Sequence, residues 1–396
     1  MVKRIFAICF IFGCTAVAWF ILSGTILIRT ETQDNKLRGA VGQLWGTEQT
    51  QQAPKFYYES KDQNVTQMIE ASDINADIKL DYRKKGLLWY STYKVKFTGK
   101  YQVKNGSNEA KQISMDFKLP ARGAIYDNFR CVIKGQEIED LKFNQDTITR
   151  SFNVTPGQVE SIQISYESQG LSRWSYDFGE NVNQVKNFSL VLNTDFEKID
   201  FPVDSISPTN KERAGAGWKL TWQYSNLLTG FKIGMLLPRK LNPGPWVSRV
   251  TVAAPVSLFL FFFLLFIFTT VRNVKIHPMN YFFVAAAFFS FHLLLAYLVD
   301  HIDIHLAFWI CSLVSVFLVV SYMRLVVGGR FAFIEVALSQ LIYLVFFSYT
   351  FFFEGYTGLA ITILCICTLF IVMQATGKVD WSTLFEKGEG KDKSLA

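Results

Sequence analysis

Cysteine is nearly absent from the long polar stretch between residues 29 and 248, where Cys131 stands alone. An internal disulfide is therefore excluded there, and the segment must be stabilised by its own core, as a domain of about 200 residues can be. The other five cysteines (Cys9, Cys14, Cys311, Cys365 and Cys367) lie in apolar runs. Histidine is equally scarce: the chain has four, none in the polar stretch, which removes histidine-based hydrolysis from that segment. There is no G-x-x-x-x-G-K-[ST] phosphate loop, no H-E-x-x-H and no G-x-S-x-G elbow. Carboxylate chemistry stays open, because the stretch holds many Asp and Glu residues. The expectation is a protein with no enzymatic activity and no cofactor. Nor does the formal charge of +7 point to nucleic acid, since much of the excess Lys and Arg lies in short loops and a tail between apolar runs.

What the chain has in abundance is apolar length. Six runs, Ile5 to Ile28, Thr251 to Val271, Met279 to Val299, His305 to Met323, Phe331 to Phe353 and Thr357 to Thr376, are each long enough for a membrane helix. The first exceeds the roughly 7–15 residues of a secretory h-region and reads as a retained anchor. Arg272 and Lys275 share one connection, and Arg324 and Arg330 another, whereas the alternate connections carry Asp300 and Asp303, or Glu354, without Lys or Arg. Because Lys and Arg are retained on the cytoplasmic side, both termini are expected there, with Lys378, Lys387, Lys391 and Lys393 in the tail. The expected organisation is a cytoplasmic N-terminus and first span over 1–28, an external domain over 29–248, a five-helix bundle over 249–376 and a cytoplasmic tail over 377–396.

The external domain reads as β-rich. Tyr93, Val95, Phe97, Tyr101 and Val103 alternate with Lys94, Lys96, Thr98, Gln102 and Lys104, a period of two that signals a half-buried strand. Ile113, Met115, Phe117 and Leu119 repeat the pattern after Asn105-Gly106-Ser107-Asn108, and the pair is expected to form a hairpin. Further short alternating runs around Ile162, Phe188, Trp218 and Ile233 favour an antiparallel sandwich. Residues 30 to 45 suit a helix, and Pro243-Gly244-Pro245-Trp246 reads as a stiff linker into the second span. Trp174, Trp218 and Trp222 are expected to fill the sandwich core rather than form a binding face.

Candidate functional residues are polar groups in or near the spans. His292 lies near the middle of its run, where a polar side chain is costly without a partner, and a hydrogen bond to a neighbouring helix is its simplest role. Glu335 sits about a turn into the fifth run, with Arg330 as its expected partner. Asp300, His301, Asp303 and His305 share one short loop, but in an extended backbone at most three of them converge, so a solvated turn is expected and no metal site.

The run Val274-Lys275-Ile276-His277-Pro278-Met279-Asn280-Tyr281, the segment Leu295-Ala296-Tyr297-Leu298-Val299-Asp300-His301 and the closing Val379-Asp380-Trp381 resemble the CreD family of inner-membrane proteins in order and spacing. The resemblance covers residues 249 to 381, with a similar Trp45-Gly46 after the first span. It implies a bacterial inner-membrane location, a large periplasmic β-rich domain and a role in envelope integrity or stress tolerance. The implied partners are the lipid bilayer and a periplasmic protein, membrane protein or envelope component. His277, Pro278, Tyr281, His301, Asp380 and Trp381 are its motif positions, without assigned roles. Two other functions compete. One is a secondary transporter or channel using His292, Asp300 and Glu335, though no inverted repeat is visible. The other is a sensor that signals to a cytoplasmic partner.

The orientation is checked by reporter fusions. A green fluorescent protein joined after residue 396 is expected to fluoresce and a phosphatase placed at Gly106 to be active; the reverse pattern would reject it.

Overall fold

The computed structural model describes residues 2–60, 63–179, 184–272 and 274–377. Two compact units emerge: one spans residues 34–241, and the other combines the residues before 34 with those from 242 onward.

The second unit is helical. Its elements are α1 (Val2–Trp45, as far as residue 33), α2 (Pro243–Val271), α3 (Pro278–Leu298), α4 (Ile304–Val327), α5 (Gly329–Phe352) and α6 (Thr357–Thr376). All six are long and apolar enough to cross a membrane. About 20 helical residues cover the ~30 Å of a hydrocarbon core, which is why run length alone locates them. One boundary differs from expectation. Pro243-Gly244-Pro245-Trp246 is no linker but the first turn of α2, where proline is tolerated because the first N–H groups have no intrahelical acceptor. Trp246 is buried, its ring stacked on Phe352 at 4.3 Å and its Nε1 donating to the Phe351 carbonyl at 3.0 Å. α5 is not a uniform α-helix: Ala332–Val336 and Leu341–Phe346 are π-helical.

Small polar groups tie these helices together, as is common where lipid removes the hydrophobic drive between them. The hydroxyls of Ser23 and Ser248 lie 2.7 Å apart and join α1 to α2, and Ser257 of α2 donates to the Tyr343 carbonyl of α5. Ser315 of α4 donates to the Ala287 carbonyl of α3 at 3.0 Å, and the Tyr343 and Thr368 hydroxyls join α5 to α6 at 2.6 Å.

The first unit is built from sheets. An eight-stranded sheet runs in the order Asn210–Ala214, Gly217–Leu228, Gln184–Thr194, Ile69–Lys85, Leu88–Lys104, Val159–Leu171, Tyr126–Ile133, Gln136–Glu137. A five-stranded sheet follows the order Gln63–Gln67, Lys55–Ser60, Lys111–Lys118, Thr147–Val154, Lys142–Asn144. Gln49–Gln52, Arg173–Asp177 and Ile233–Leu236 form a smaller third sheet. Pairing is antiparallel except between Gln184–Thr194 and Ile69–Lys85 and between Gln49–Gln52 and Arg173–Asp177. The apolar faces share one core, in which Tyr93, Val95, Phe97, Tyr101 and Val103 of one sheet join Ile113, Met115 and Phe117 of another. Each such side chain contributes about 1.5–3 kcal/mol on full burial. Trp174 and Trp222 are core residues as expected, while Trp218 is half-buried with the Lys211 ammonium 4.0 Å above its ring. Residues 34–45 close one part of this unit: Val41 is buried with Leu88 and Tyr90, and Leu37 and Trp45 pack against them.

The expected hairpin between residues 93–104 and 111–119 does not form. Leu88–Lys104 instead pairs with Ile69–Lys85 across a turn at Gly86 (φ 59°) and with Val159–Leu171, while Lys111–Lys118 belongs to the other sheet. Asn105 is the reason. Its buried amide donates to the carbonyls of Glu109 (2.9 Å) and Val154 (2.8 Å) and its Oδ1 accepts from the Ser107 N–H, so the loop arches from one sheet to the other.

Cys131 is buried in this core, and burial pushes its thiol up to about 11. It is therefore expected to resist thiol reagents at neutral pH until the unit unfolds. Replacing Phe97, stacked on Tyr166 at 5.0 Å, by alanine should cost about 3–5 kcal/mol. A lowered denaturant midpoint for Cys131 labelling measures that loss, and an unchanged midpoint would contradict the packing.

Candidate functional site

Two ion pairs in the helical unit hold the carboxylates of Glu335 and Asp300. Glu335 lies in the first π-helical stretch of α5, its side chain only 11% exposed, and Arg272 at the end of α2 reaches it with Nη2 2.5 Å from Oε1. The second carboxylate oxygen, Oε2, is buried without a hydrogen-bond partner. The expected partner, Arg330, is exposed in the first turn of α5; the cation comes from a neighbouring helix instead. Asp300, just beyond α3, pairs with Arg29 of α1 at 3.0 Å. The same guanidinium donates to the Ala296 carbonyl and lies 5.6 Å above the Tyr297 ring.

The four polar residues of the 300–305 loop do not converge. Asp303 caps α4, its Oδ1 accepting from the N–H groups of His305 (2.9 Å) and Leu306 (3.3 Å), an arrangement that satisfies otherwise orphaned donors. The His305 ring stacks on Phe352 at 4.4 Å, and His301 is exposed. Among the described residues no group of three or more His, Cys, Asp or Glu side chains is placed to hold a metal.

His292 is buried, but its bond is not to a neighbouring helix. Nδ1 donates to the Phe288 carbonyl of its own helix at 3.0 Å, and the ring sits edge-on to Trp19 of α1 at 5.4 Å. His292 Nε2 and Trp19 Nε1 are both buried without partners. Gln340, a further turn along α5 from Glu335, is another such position: its Nε2 donates to Ser315 at 3.1 Å while Oε1 is unpartnered. His277 accepts from the Met279 N–H and, with Pro278, starts α3. The buried Tyr281 takes a 3.3 Å hydrogen bond from Arg4. Asp380 and Trp381 lie outside the described residues.

The sheet unit contains a cavity of about 530 Å³, in the size range of small-molecule sites. Phe56, Met68, Ile69, Tyr176, Phe178 and Phe188 provide apolar lining. Lys55, Asp116 and Lys118 also line it, so the cavity can meet both an apolar body and a charged group.

Comparison with known proteins concerns the helical unit. Residues 247–382 match the family model of inner membrane protein CreD. The match runs from Val247, just past the first turn of α2, through α6 and includes every CreD motif position named above. This helical segment is therefore similar to the inner membrane protein CreD family over about a third of the chain, and the sheet unit lies outside the match. No curated protein matches the chain. Among solved structures, a Legionella pneumophila protein described as nutrient-binding is similar at 10% identity over 53% of this chain and 75% of that one. Its TM-score of 0.34 is too low to establish a shared fold.

Removing Arg272 leaves a nearly buried carboxylate uncompensated. Arg272→Gln is expected to cost about 2 kcal/mol, less than for a fully buried pair because Arg272 is half-exposed. The double variant Arg272→Gln/Glu335→Gln should recover most of that loss in a thermal melt of the purified protein; equal melting of single variant and wild type would show the pair to be idle.

Proposed function

We propose that this chain is a CreD-like inner-membrane protein that supports cell-envelope integrity without catalysing a reaction, its sheet unit lying in the periplasm and binding a protein or envelope component. The observation that carries the reading is the mixed apolar and charged cavity in the sheet unit. By contrast, Asp300, Glu335 and Asp303 of the helical unit are engaged within it, on Arg29, on Arg272 and on the start of α4. The periplasmic placement rests on the distribution of Lys and Arg among the short connections.

A secondary transporter or channel is the second reading, favoured by the buried, unpartnered Glu335 Oε2, Gln340 Oε1 and His292 Nε2. Ionisable groups inside a membrane bundle commonly mark ion or proton pathways.

A clean deletion strain separates the two. It should be sensitive to detergent and chelator, and be rescued by the full chain and by Glu335→Gln but not by a chain lacking residues 60–240. Absence of sensitivity would remove the envelope reading, and loss of rescue by a folded Glu335→Gln variant, with altered solute flux, would move the function into the bundle.

A further inference from the structure

A second cavity, of about 710 Å³, is a long groove between α4 and α5. On α4 its lining recurs at helical spacing, Trp309, Leu313, Val316, Val320 and Arg324, and α5 answers with Phe333, Ala337, Leu341 and Val345. The fifteen residue steps from Trp309 to Arg324 make the groove about 22 Å long at the rise of an α-helix. Its origin is local. Phe333 lies in one π-helical stretch of α5, and Leu341 and Val345 in the other. The wider π turns leave this four-residue row of side chains out of close mesh with α4.

We propose that this groove is a binding site for an anionic phospholipid, with one acyl chain laid along it and the phosphate at Arg324. Both walls belong to helices long and apolar enough to span a membrane, and the lining is mostly large and apolar: Leu313, Phe317 and Phe333 are each more than 60% exposed. A further helix is a poor occupant, because helices associate in membranes through small residues that let backbones approach, and these side chains hold a backbone away. An acyl chain conforms to such a surface. The polar groups are unevenly placed. Arg324 is exposed in the last turn of α4, Ser321 lies one turn before it, and the exposed Arg330 follows just beyond the Gly328-Gly329 turn. Two guanidinium groups at one end of an apolar groove select a negative headgroup in the leaflet at that end. The site depends neither on the envelope reading nor on which leaflet that is.

The test uses the full chain, delipidated in detergent, with phosphatidylglycerol or phosphatidylcholine of identical acyl chains, followed by native mass spectrometry and thermal melting. Phosphatidylglycerol is expected to remain as a one-to-one adduct and raise the melting temperature, with phosphatidylcholine weaker. Arg324→Gln should lower phosphatidylglycerol affinity about fivefold and leave phosphatidylcholine unchanged, as expected for one basic residue near a headgroup. Ala337→Phe, which fills the groove without touching the charge, should weaken both lipids. Equal binding of the two lipids by wild type, or undiminished adducts in Ala337→Phe, would overturn the site. Stabilisation by inorganic phosphate alone would also overturn it, by reducing it to a simple anion site.

Discussion

A charge inside hydrocarbon must find its counter-charge within the protein, and the helical unit is organised around that requirement. Arg29–Asp300 ties α1 to the end of α3, and Arg272–Glu335 ties the end of α2 to α5. Because α2 and α3 are consecutive antiparallel helices, the two pairs sit at opposite ends of the unit. Between them, single hydroxyls bridge α1 to α2, α2 to α5, α3 to α4 and α5 to α6. Neither ion pair is fully dry, since each cation keeps some contact with the surroundings. That exposure lowers the desolvation cost that makes wholly buried pairs poor stabilisers.

The CreD motif positions take on a physical meaning in this setting. His277 and Pro278 set the start of α3, Tyr281 receives Arg4 from α1, and Asp300 receives Arg29. These four residues sit at or near helix ends, and Tyr281 and Asp300 join them to α1. The unpartnered atoms of Glu335, Gln340 and His292 are a different class of feature. Buried polar atoms without partners are uncommon in a settled interior, and they sit where the motif residues do not.

The sheet unit solves its own problem with shape. One alternating strand, Leu88–Lys104, is flanked on both sides by long antiparallel partners, and its inner residues meet those of the five-stranded sheet in one core. A core of that extent explains how the unit dispenses with disulfides. The cavity lined by Phe56, Tyr176, Phe178 and Phe188 lies where strands of different sheets meet, a place that no single strand defines.

Much of this architecture was legible in one dimension. The six spans follow from composition, because the cost of placing a side chain in hydrocarbon depends on that side chain and its near neighbours. The half-buried strands follow from alternation, for the same local reason, and Ile74, Ala76, Ile78 and Leu80 carry the same pattern in one of the two strands that pair with residues 88–104. What the sequence could not reveal is who meets whom. The Asn105 loop looked like a hairpin turn until Val154, distant in sequence, became its partner, and Glu335 looked matched to Arg330 until Arg272 arrived from another helix. Pairing, cavities and unpartnered atoms are properties of two or more segments at once. Composition and period by themselves therefore determined the elements and their membrane or aqueous character, while only the tertiary structure decided their neighbours, because contact energy belongs to pairs that the linear order does not bring together.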